Sequence, residues 1–128
     1  MSGALERDEN GAPRTRLLPD RQGLVVRLQA EPGGRAALLD ALHRYIDRLL
    51  EEPATEFFCI SLDPDDAEVV WLHEWFNGED GMTAHRSAPG FAELMAELNT
   101  VLSGAPGVMR FVPLRMHLSD GLWQDEEL

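Results

Sequence analysis

A chain of 128 residues with 44% hydrophobic composition, 23 acidic and 11 basic side chains and a net charge of −12 is one soluble domain with a modest core, and its acidic surface repels phosphate backbones, which argues against nucleic acid as a partner. All eleven basic residues are arginine, which excludes Schiff-base chemistry on a side-chain amine and a P-loop lysine. No apolar run approaches the ~20 residues of a membrane helix, the first residues have no signal-peptide character, and a single cysteine, Cys59, suits a reducing compartment; the expected address is cytoplasmic, with no membrane partner.

Residues 1–20 are polar, rich in charge, Gly and Pro, and lack a period, which predicts a flexible N-terminal tail. The run GLVVRLQA (23–30) alternates and is β-branched, a first strand, and EPGG breaks it. From Arg35 to Glu52, Leu38, Leu42, Ile46 and Leu49 recur at three- and four-residue spacing with Tyr45 alongside. That pattern predicts an amphipathic helix of about five turns, ended by Pro53. TEFFCISL (55–62) reads as the second strand, DPDDAE as a turn, and VVWLHEWF (69–76) as the third strand. After NGEDG, a short helical piece carries Met82 to Arg86, and Pro89 punctuates it. Phe91, Leu94, Met95, Leu98, Val101 and Leu102 then form a second helical stripe. SGAPG ends it, and VMRFVPLRMHL (108–118) is the fourth strand. Residues 119–128 form an acidic C-terminal tail, with Leu122 and Trp123 as expected anchors, so the domain occupies residues 21–118.

The order β-α-β-β-α-β predicts an α+β, ferredoxin-like sandwich in which two helices cover one face of a four-stranded antiparallel sheet. In the third strand one face carries Val70, Leu72, Glu74 and Phe76, and the other Val69, Trp71, His73 and Trp75. Both faces are apolar and only one has helices to cover it. A homodimer through the face of Trp71, His73 and Trp75 is therefore expected.

A further set of residues has a recognisable spacing. Pro32-Gly33 follows the first strand, the third strand ends Glu74-Trp75-Phe76, His85 stands eleven residues beyond the Glu, and Pro89 and Phe91 follow. In these features the chain resembles the antibiotic biosynthesis monooxygenase family of dimeric α/β-barrel proteins, over about residues 22 to 118. It departs in two places: Phe76 stands where the family usually has Trp, with Trp75 displaced onto the opposite face, and Ala88 stands where a Ser is usual, with Ser87 one position early. The family includes cofactor-independent monooxygenases acting on polyketide-type quinols, haem-degrading proteins and small-molecule isomerases, so the resemblance implies fold more strongly than chemistry. The haem branch uses a helical His where Met95 stands and an Asn on the first strand, which GLVVRLQA lacks.

The resemblance thus implies a monooxygenase that oxidises a quinol-like or polycyclic aromatic compound without metal or organic cofactor, or an isomerase or cyclase using the same pocket. A base and an apolar wall suffice for the first task. His85 is the candidate base and Glu74 its orienting carboxylate. Arg27 or Arg86 would steady an oxyanion, and Phe58, Ile60, Leu72, Phe76, Phe91 and Met95 would form the wall. Each has a plainer reading: Glu74–His85 as a tie between helix and sheet, the apolar residues as core, and the chain as a non-catalytic ligand-binding dimer. His43, His73, His85 and His117 never fall at zinc-ligand spacing, so no metal is expected.

Overall fold

Runs of period two become strands here and runs of period 3.6 become helices. The computed structural model describes residues 6–7, 13–119 and 121–124. In chain order they form β1 (Glu6–Arg7), β2 (Pro13–Leu17), β3 (Arg21–Gln29), α1 (Arg35–Ile46), a 3-10 turn (Leu49–Glu51), β4 (Thr55–Leu62), β5 (Val69–Asn77), α2 (Gly78–Ser87), α3 (Pro89–Val101), β6 (Gly107–Phe111), β7 (Arg115–Met116) and α4 (Gly121–Gln124). The main sheet has the order β4-β5-β3-β6 with every neighbouring pair antiparallel. That is the expected ferredoxin-like arrangement.

Helices α1 and α3 pack on one face of this sheet, and their apolar stripes meet the inward residues of β3 and β5. Leu38, Leu42, Leu94 and Leu98 close over Leu28, Val70 and Leu72, all buried. Arg44 pairs with Glu97 and Arg48 with Glu93, and this reversed numbering marks the two helices as antiparallel. From Val70 onward β5 alternates, with Val70, Leu72, Glu74 and Phe76 buried, Trp71 and Trp75 half-buried and His73 exposed, but Val69, expected on the outer face, is buried as well. Across the other face Trp71, His73 and Trp75 stand beside Arg27, Val25 and Gly23 in register.

Three elements differ from the sequence expectation. Helix α1 ends at Ile46, and the chain tightens into the 3-10 turn before Pro53. Glu52 (φ −127°, ψ 67°) leaves the helical region because the proline ring crowds the residue before it. The fourth strand is also interrupted: β6 stops at Phe111, Pro113 offers no N–H to a ladder, and β7 turns away to pair with β2. The third difference lies in the first twenty residues, where Pro13–Leu17 is a strand and Leu18 is buried. In the C-terminal segment, Leu122 on α4 is exposed rather than an anchor, and the Trp123 side chain lies outside the described residues. No helix among the described residues is long and apolar enough to cross a membrane.

Candidate functional site

The packing of α2 and α3 over the sheet leaves a cavity of about 190 Å³. Leu24, Val26, Phe58 and Leu72 line it from the sheet, and Phe91, Leu94 and Met95 from α3. Glu74, His85 and Arg86 supply its polar groups. Four of the expected wall residues are therefore in place: Phe58, Leu72, Phe91 and Met95. Phe76 stands behind the imidazole, its ring centroid 4.6 Å from that of His85, with Phe91 against the ring at 4.4 Å. Ile60 packs against the core and does not line the cavity. Arg27 is a correction: directly opposite Trp71 in the ladder, it is exposed on the open face of the sheet and bonds Gln29. Side chains alternate across a strand, so the intervening sheet separates Arg27 from His85.

His85 comes from the last turn of α2, which starts directly after β5 at Gly78, with φ +76°. A positive φ is inexpensive only for glycine, and this turn lets the helix fold back over the strand that carries Glu74. His85 Nε2 lies 3.7 Å from Glu74 Oε1, beyond hydrogen-bond length. The stronger ties are to two residues outside the sequence motif. His85 Nδ1 is 2.9 Å from the Tyr45 hydroxyl and 3.1 Å from Glu52 Oε1. The Tyr45 hydroxyl donates to the same Glu52 oxygen at 2.9 Å, and Thr55 Oγ1 donates to it at 3.1 Å. With the tyrosine hydrogen spent on Glu52, the hydrogen linking His85 to these oxygens must sit on Nδ1. Nε2 is left with a lone pair, 3.7 Å from the Glu74 carboxyl that shares the cavity with it.

Burial sets the protonation states. It pushes the His85 pKa below its ordinary value, with the Glu52 hydrogen bond opposing and Arg86 assisting, so the ring is neutral at pH 7. Glu74, buried and repelled by Glu52, is pushed up to about 7. Its Oε1 has no hydrogen-bond partner among the described protein groups. Burial, then Glu52, raises Tyr45 well above the usual phenol value, keeping it a donor. A neutral imidazole and a carboxyl whose proton is held more tightly than usual thus share one apolar cavity. Arg86 is exposed at its rim and makes no salt bridge among the described residues.

Sequence reasoning missed Tyr45 and Glu52. A phenol on an apolar helix stripe needs a partner for its hydroxyl once buried, and that was the available signal. Ser87, displaced from its usual place in the motif, donates back to the Thr83 carbonyl at 3.0 Å, and Ala88, the residue before α3, gives that helix no side-chain cap. Among the described residues no group of three or more His, Cys, Asp or Glu side chains is placed to hold a metal ion.

The family model described as antibiotic biosynthesis monooxygenase matches residues 22–97. Among solved structures, a protein from Caulobacter crescentus CB15 carrying that family's name is similar, with TM-score 0.68 and 17% identity, covering 74% of this chain and 91% of that one. A second, from Chloroflexus aurantiacus J-10-fl and named likewise, has TM-score 0.65 and 22% identity, covering 73% and 92%. A protein of unknown function from Nitrosomonas europaea has TM-score 0.62 and 27% identity, covering 84% and 93%. No curated protein matches the chain.

Proposed function

The chain belongs to the antibiotic biosynthesis monooxygenase family, and from that premise we propose that it is a cofactor-independent monooxygenase acting on a quinol-like aromatic compound in the cavity beside His85. The observation that carries this reading is a neutral His85 that lines an apolar space, held by Glu52 through Nδ1 and with no hydrogen bond at Nε2 among the described residues. In this mechanism Nε2 takes a phenolic proton, and the phenolate donates electrons to dioxygen from within an apolar site. One oxygen atom joins the ring and the other leaves as water, so that a quinol and dioxygen give a hydroxyquinone and water with every electron drawn from the substrate. Arg86 at the rim balances the anion. The Glu74 carboxyl, its pKa near 7, holds or accepts the proton that His85 removes.

The same pair supports an isomerase as the second reading. A base and a carboxyl able to return the proton are what a proton shift across a ring needs. Dioxygen consumption separates the two. The test is oxygen uptake by metal-free protein with a panel of hydroquinones, wild type beside His85→Ala and Glu74→Gln. Uptake that disappears in folded His85→Ala supports the monooxygenase; no uptake above the uncatalysed rate for any quinol rejects it.

The reading includes a homodimer through the open face of the sheet. Support comes from the apolar groups there: Phe57 stacks on Trp75 at 4.2 Å and 15°, and Met109 of edge strand β6 is 67% exposed.

A further inference from the structure

Helix α2 separates two spaces. Inside lies the cavity of about 190 Å³ beside His85. Outside lies an open cleft of about 530 Å³ between the start of α2 and strand β6, bordered by Gly78, Glu79, Arg110 and Phe111. Among the described residues, Met82 alone borders both. It is 7% exposed, and it stands three and four residues before His85 and Arg86, so the three side chains share one helix face. An unbranched thioether fills an irregular gap well and is readily shortened without disturbing a backbone.

Volume then limits what can reach Nε2. A dry apolar cavity of about 150 Å³ holds benzene, so 190 Å³ encloses one substituted ring and leaves little beside it. A second fused ring must reach into the mouth, and a third, if it extends towards the neighbouring cleft, meets Met82. We infer that Met82 is the size-determining residue of this site, restricting it to phenols and quinols of one ring, two fused rings at most, and that shortening Met82 joins cavity to cleft and admits three. This rests on the reading of the cavity as the substrate site, and it narrows that substrate to the small end of the aromatic range.

Binding measured without turnover tests it. Dissociation constants of hydroquinone, 1,4-dihydroxynaphthalene and anthrone would be measured calorimetrically under argon, on wild type, Met82→Ala and the milder Met82→Val, the latter serving if Met82→Ala does not fold. Wild type is expected to bind the one- and two-ring compounds and to bind anthrone at least tenfold more weakly. Either Met82 variant should close most of that gap while loosening its hold on hydroquinone. Anthrone bound by wild type as tightly as dihydroxynaphthalene, or a size order unchanged in the variants, overturns the inference. Failure of all three compounds to bind removes it together with the substrate-site reading. The expected size order without oxygen uptake removes only the monooxygenase chemistry and leaves Met82 as the filter.

Discussion

Glu52 Oε1 lies 3.1 Å from His85 Nδ1, bridging 33 positions of sequence, and this contact decides which ring nitrogen faces the cavity. The carboxylate accepts from Nδ1, from Tyr45 and from Thr55 through one oxygen. The imidazole is thereby locked in the tautomer whose Nε2 can receive a proton.

Replacing that carboxylate should therefore disturb chemistry more than fold. Glu52→Gln keeps an acceptor but removes the charge that supports an imidazolium during proton transfer. Oxygen uptake is expected to fall about 10²-fold, within the usual range for a general-base contribution, with substrate affinity little changed. Glu52→Ala instead strips the buried Tyr45 hydroxyl, His85 Nδ1 and the half-buried Thr55 hydroxyl of their shared acceptor and should lower stability by about 1–3 kcal/mol, read from urea unfolding. Equal turnover in wild type and Glu52→Gln would exclude a role in the proton transfer.

Stability should depend on pH in two opposing ways. Glu74 is raised from 4.5 to about 7, so the folded state holds its proton more tightly than the unfolded chain between those values. Its burial penalty is complete above pH 7 and relieved as pH falls to 4.5. His85 is lowered below 6.5, so its neutral form favours folding above pH 6.5, and that contribution is lost as pH falls through the folded value. Glu74→Gln removes the first effect alone. Thermal unfolding should show the variant gaining a few degrees on wild type at pH 8 but not at pH 5. A difference independent of pH would contradict the raised carboxyl.

The rate profile carries the same signature. Nε2 lies 3.7 Å from the Glu74 carboxyl, so oxygen uptake should climb as Glu74 ionises near pH 7. In Glu74→Gln the climb should move below 6.5, towards the lowered His85 value. A profile that falls above pH 7 would favour the isomerase, which needs Glu74 protonated to return the proton.

Arg86 should act on charge and little on shape. Arg86→Gln is expected to weaken binding of a phenolate several-fold while leaving an uncharged methyl ether of the same ring unchanged. Because the guanidinium is exposed, the difference should shrink at high salt. An equal loss for both ligands, measured by titration calorimetry at two salt concentrations, would point to packing instead.

Light scattering on a sizing column should return twice the chain mass of 14.3 kDa. Trp75→Arg, placed where Phe57 and Trp75 stack, should halve it while circular dichroism stays native. A monomeric wild type would remove the dimer from the proposal.

The sequence alone determined the β-α-β-β-α-β order of the central elements and the inward face of Val70, Leu72, Glu74 and Phe76. These follow from periods of 2.0 and 3.6 residues, which covalent geometry imposes on any chain. Tertiary structure decided the rest. Glu52 became the closest carboxylate to His85 because the helix tightened ahead of Pro53 and turned that side chain inward. Arg27 was removed from the site by a ladder register that put it opposite Trp71. Met82 became a wall between two spaces only once α2 had folded back over β3 and β5. Spacing along one element fixes which side chains share a face; which faces then meet is set by packing between elements far apart in the chain, where no local pattern records it.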